Sequence, residues 1–172
     1  MPVKISIKGD NETNEYKDAI VLKQIFEKEF SNKNTNGEIL IISGATLFGQ
    51  EVKDVDLIVL GNFEKYCCKV RTKAETGTFD KRRELDLEER FVYVNSFCFV
   101  IETKRHRAED IQLNGIQLLV RYNDKLHDVT TQSEKQKYSL STFFKDRINF
   151  TPYICNFIWF RNINWDSIKQ LS

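Results

Sequence analysis

Histidine is scarce in this chain and paired cysteine motifs are missing, which sets the first limits on what it does. The 172 residues include two histidines, His106 and His127, and four cysteines, Cys67, Cys68, Cys98 and Cys155. No two cysteines have Cys-x-x-Cys spacing, so a structural zinc site is not expected. Cys67 and Cys68 are adjacent and cannot share one side of a strand, and reduced, buried thiols in a cytoplasmic protein are the expectation. No apolar run approaches the roughly 18 residues that a membrane span needs, and Met1-Pro2-Val3-Lys4 has no signal-peptide core. A Gly-rich phosphate loop is also absent, so ATP hydrolysis is not expected of this chain. Internal repeats and low-complexity linkers are lacking as well.

Charge is abundant but balanced, with a formal net charge of +1. Two basic clusters stand out, Lys81-Arg82-Arg83 and Lys104-Arg105-His106-Arg107. Such clusters attract phosphate backbones without reading sequence. The first is followed by Glu84, Asp86, Glu88 and Glu89 and reads more simply as a solvated loop.

The length fits one domain, residues 1–172 with a core over about 15–160, large enough for an ordinary hydrophobic core. Glu15, Ala19, Leu22, Phe26 and Glu29 recur at helical spacing, which predicts an amphipathic helix over 15–30. A first strand is expected over 38–43, a hairpin connection over 44–53, and a strand through Val55-Asp56-Leu57-Ile58-Val59-Leu60-Gly61. Further strands are expected over 66–71, 91–94 and 97–104, with 73–90 an excursion or short helix. Asn123-Asp124 predicts a tight turn between strands over 116–122 and 125–129. Thr131 and Glu134 have capping-box spacing before a second helix, and 153–160 reads as a buried closing strand. Tyr138 and Trp165 are expected to pack within the protein. These elements compose an α/β fold with a mixed central sheet flanked by helices.

Two acids sit where apolar strands should close. Asp56 interrupts a Val/Leu/Ile run, with Asp54 as the fallback on the same face, and Glu102 ends the uncharged run before Thr103-Lys104. Strand side chains alternate, so Glu102 and Lys104 share a face about 7 Å apart. Carboxylates entering such surroundings are costly to desolvate unless a cation compensates them. Two hard oxygen ligands suit Mg2+ or Mn2+, which would make phosphodiester hydrolysis the expected chemistry. The bland alternative is an exposed ion pair at a strand end. Glu51-Val52-Lys53 repeats the Glu-x-Lys pattern in a more polar approach to a strand.

An Asp on one strand followed by Glu-x-Lys on a later one resembles the PD-(D/E)XK nuclease superfamily. Within it, Glu15 on the first helix, Asp56, Glu102-Thr103-Lys104, a hairpin, a helix opening with Gln132 and an apolar final strand are similar to the NERD, or nuclease-related, domains. The resemblance implies a restriction-endonuclease-like fold and magnesium-dependent cleavage of DNA. It implies Asp56 and Glu102 as metal ligands, completed by the Thr103 carbonyl, with Lys104 positioning the attacking water. Glu15 and Gln132 become auxiliary catalytic residues, and Arg105, His106, Arg107 and Gln136 the nucleic-acid contacts. Glu15 serves equally well as a first-turn acid complementing the helix dipole, and Gln132 as a surface amide. NERD-like domains often precede helicase or other ATPase modules, so such a partner, with this chain as the N-terminal portion of a larger protein, is expected. Two classes compete with it: a catalytically inactive nuclease-fold module for nucleic-acid or protein binding, and a protein-interaction domain of a larger assembly, which the near-neutral net charge suggests.

Overall fold

A computed structural model describes residues 3–73, 87–164 and Ser167. The expected Lys81-Arg82-Arg83 cluster, Trp165 and most of the 73–90 excursion lie outside them. The elements run β1 (Lys4–Lys8), α1 (Asn14–Phe30), β2 (Gly37–Thr46), β3 (Asp54–Lys73), β4 (Leu87–Lys104), a short 3-10 turn (Ala108–Asp110), β5 (Ile111–Asn114), β6 (Gln117–Tyr122), β7 (Lys125–Asp128), α2 (Val129–Ile148) and β8 (Ile154–Phe160). The main sheet has the order β1-β2-β3-β4-β8, and β5-β6-β7 form a separate meander. β1 and β2 are parallel, as are β4 and β8, while β2, β3 and β4 are joined antiparallel. The fold is thus mixed α/β.

Parallel neighbours need a crossover, and the two helices supply them. α1 links β1 to β2, and the meander with α2 links β4 to β8. Ala19 and Phe30 of α1 pack on Ile39, Ile41, Leu57 and Val59. Leu140 of α2 packs on Ile58, Cys98, Val100 and Ile154. Because Leu57 and Ile58 face opposite ways along β3, the two helices cover opposite faces. A third cluster joins Ile111, Val120 and Val129 to Ile158 and Phe160, and so seats the meander against the end of β8.

Several expectations need correction. β1 precedes what was expected to be the first strand; its Lys-Ile-Ser-Ile-Lys alternation suits an edge, with Ile5 and Ile7 packed on the first core. The strands expected over 55–61 and 66–71 are one strand, with a register shift between Asn62 and Tyr66 where pairing to β4 is interrupted. β3 and β4 continue past the sheet as a two-stranded ribbon, which leaves Phe91 and Tyr93 exposed. Cys67 is exposed for the same reason, and Cys68 is half-buried, so neither is the buried thiol expected. Cys98 is buried, and desolvation, then the neighbouring Cys155, pushes its thiol up to about 11, which keeps it protonated and inert. α2 starts at Val129 under an Asp128 cap that accepts from Thr131 N, so the expected Thr131/Glu134 box lies inside the helix. Tyr138 is exposed on α2, and is not a packing residue. No helix among the described residues is long and apolar enough to cross a membrane.

Candidate functional site

The last residues of β4 leave the sheet beside the start of β3, and the two strands deliver their acids together. The last paired rung there is Leu57 with Ile101; Asp56 and Glu102 follow it by one residue on each strand. Glu102 is 2% exposed. A carboxylate this deep needs donors, and it has three. Lys104 Nζ and Gln132 Nε2 donate to Oε1, the latter at 2.7 Å, and Gln136 Nε2 donates to Oε2. The expected exposed ion pair is therefore wrong in one respect: Glu102 and Lys104 do pair, but their side chains are 3% and 16% exposed.

Helical spacing explains the two glutamines. Residues four apart share a helix face, so Gln132 and Gln136 both reach Glu102, Gln136 buried and Gln132 nearer solvent. The Gln132 amide is fixed at both ends, because its Oε1 also accepts from Lys104 Nζ at 3.3 Å. Gln136 donates to the Asp54 carbonyl at 3.4 Å as well, and its Oε1 is buried without a donor. Burial corrects the expectation that Gln136 contacts nucleic acid: at 1% exposed it holds Glu102 from within.

Asp56 is half-buried, and its Oδ2 accepts from Thr103 N at 2.7 Å and Thr103 Oγ1 at 3.0 Å. Its carboxyl is nevertheless held above the ordinary value, first by desolvation and second by repulsion from Glu102. Thr103 and Lys104 act in the opposite sense without cancelling it. A half-buried acid held up by its own burial and by the charge of a buried acidic neighbour marks a place where a cation would be favoured. Among the described residues no group of three or more His, Cys, Asp or Glu side chains forms a cage for a metal. The site offers two carboxylates, an ammonium and amides.

Glu15 is not drawn into this network. It is half-exposed near the start of α1, the helix that covers the opposite face of the sheet. The acid that α1 sends inward is Asp18, which is 0% exposed. Arg105 donates to Asp18 Oδ1 at 2.8 Å and to the Asn14 carbonyl at 3.3 Å. Arg161 Nε lies 2.9 Å from the same Oδ1, off hydrogen-bond alignment, with its guanidinium stacked on Trp159. Arg105 is therefore committed to α1, while Arg107 projects into solvent beside Glu109. His106 sits by Lys104 in the wall of a pocket. Asp18 went unnoticed in sequence, although it precedes Ala19 on the apolar stripe and stands four residues before Leu22.

Comparison with known proteins adds no relative to this geometry. Neither a family model, nor a curated protein, nor a solved structure matches the chain. The functional reading therefore rests on side-chain chemistry.

Proposed function

We propose that the chain is a metal-dependent nuclease that hydrolyses phosphodiester bonds of DNA, with a restriction-endonuclease-like sandwich of the PD-(D/E)XK, NERD-like type. The observation that supports this best is the meeting of Asp56 and Glu102 with Lys104 from two strands, under Gln132 of α2. The proposal includes a cytoplasmic setting and a helicase or ATPase module as partner.

The donor set fits a hard divalent ion. Asp56 uses only Oδ2 within the described protein, Lys104 and Thr103 offset the Asp56–Glu102 repulsion without removing the upward shift at Asp56, and the Gln136 amide oxygen is a buried acceptor without a donor. Mg2+ or Mn2+ would be held by Asp56, Glu102 and the Thr103 carbonyl, keeping several waters. When bound, the ion supplies polarisation of the phosphoryl group and a water of lowered pKa. The rest belongs to the chain. Thr103 fixes the Asp56 carboxylate by two hydrogen bonds, leaving Oδ1 as its outward oxygen. Gln132 sets its amide between Glu102 and Lys104 and so positions the ammonium. Lys104 places a positive charge where negative charge builds on the phosphate during attack. Arg107 extends the cationic surface that receives the backbone, with the uncharged His106 ring beside Lys104.

Incubating the protein with single- and double-stranded DNA, with Mg2+ or Mn2+ and with a chelator, tests the reading. Cleavage is expected with metal alone, and Asp56→Asn should abolish it. No cleavage under any of these conditions would end the hydrolase proposal. One observation favours a second reading, a nuclease-fold module that binds without cutting: three donors already satisfy Glu102, as a purely structural acid requires. That module would retain DNA at low salt, lose it steeply as salt rises, and cut nothing.

A further inference from the structure

Both histidines of the chain, separate in sequence, face one pocket of about 290 Å³ that also exposes Lys104 and Gln132. His106 follows β4, and His127 lies on β7, paired with Val120 of β6. Tyr122 stands between them, its ring centroid 6.2 Å from each imidazole and edge-on to both. Val120 and Val129, both buried, form the apolar floor. No carboxylate is among the lining residues. His106 Nδ1 is buried without a hydrogen-bond partner. Burial and the nearby Lys104 charge lower the His106 pKa, with Asp110 acting against them, so the ring is a neutral donor and acceptor at neutral pH.

These walls ask for two properties in one ligand. Lys104, the imidazoles and the Gln132 amide suit an anion, whereas the valine floor and an exposed tyrosine ring suit a flat apolar body. A free inorganic anion would leave the floor uncovered. A duplex keeps its bases stacked on one another and is too broad for the space, which lies at the small end of ligand pockets. We propose that this pocket receives one unpaired nucleotide next to the phosphate held at Lys104, its base against Tyr122, so that the substrate is single-stranded nucleic acid. The inference rests on the nuclease reading and specifies its substrate.

With only two histidines, the imidazole proton signals in NMR report on this pocket directly. The protein, kept in chelator so that nothing is cut, is titrated with thymidine 5′-monophosphate, with inorganic phosphate, and with oligothymidine as a single strand and in its duplex with oligodeoxyadenosine, the single strand being expected to move the rings and the duplex to leave them unmoved. The nucleotide is expected to move both ring signals and to bind at least about tenfold more tightly than phosphate. Tyr122→Ala should weaken it roughly tenfold and Tyr122→Phe should preserve it, because stacking uses the ring and not the hydroxyl. Tyr122 is well exposed at the end of β6, and His127→Ala, at another exposed position, gives a second variant expected to weaken binding. Unmoved rings, equal affinity for phosphate and nucleotide, or Tyr122→Ala binding as tightly as the unaltered protein would each overturn the subsite. Ring responses without metal-dependent cleavage would support the subsite while ending the hydrolase proposal. Cleavage without ring responses would end the subsite alone.

Discussion

Two acids are buried at the same end of the main sheet, one under each helix, and they are neutralised in different ways. On the α1 face, Asp18 meets two guanidinium groups, Arg105 and Arg161. On the α2 face, Glu102 and Asp56 share one ammonium, Lys104, and the remaining partners are uncharged amides and a threonine. The first arrangement gives one carboxylate two cations, so its acid is fully countered within the protein. The second leaves one carboxylate more than it has cations, and Asp56, its pKa raised first by burial, is raised further by Glu102. An acid outnumbered by the protein's own cations reads as structure, and acids that outnumber them, held by specific hydrogen bonds, read as a place prepared for an external cation.

The contrast breaks most visibly at Asp18. Asp18→Ala would take the shared partner from Arg105 and Arg161, of which only Arg161 is largely buried, and should cost about 3 kcal/mol, the low end for breaking a buried pair, measured by urea unfolding. A loss below about 1 kcal/mol would mean that the pairing is slack and the contrast false. Lys104→Ala should slow DNA cleavage about 10²–10³-fold through loss of the charge facing the phosphate, assayed on protein whose circular dichroism matches the unaltered chain. Gln136→Leu takes a donor from buried Glu102 and should destabilise by about 1–3 kcal/mol; an unchanged melting temperature would show that the glutamate does not need it.

Asp56→Asn carries the smallest stability effect and the most informative sign. A carboxyl whose pKa is raised by folding contributes its full stability below the ordinary carboxylate range, and loses it as pH rises through the folded value. Asparagine removes that loss while its oxygen can still accept from Thr103. The variant should match the unaltered protein at about pH 4 and be equally or slightly more stable at about pH 7. A variant that grows less stable with rising pH would place Asp56 among the structural acids, alongside Asp18.

Sequence reading located the strand acids because period-2 alternation is short-ranged and survives in Glu102-Thr103-Lys104. It found the helices over 15–30 and beyond Thr131 for the same kind of reason, since apolar spacing marks the packed face. It did not separate Gln136 from the solvent-facing polar residues around it, because an amide's depth depends on which turn of α2 crosses the sheet. Asp18 was hidden by a similar gap. Its two arginines lie at 105 and 161, and no local pattern joins them to α1. Edge strand β1 was missed through brevity, and the Cys67 and Cys68 environment because nothing local announces that a strand outruns its sheet.

Glu102, Thr103, Lys104 and Arg105 are consecutive, and between them they grip three neighbours: Glu102 and Lys104 hold α2, Thr103 holds β3 and Arg105 holds α1. Their alternation drives them through the sandwich like a row of rivets set from both sides. Both helices are thereby tied to adjacent residues of one strand end, the same strand end that carries the uncompensated charge.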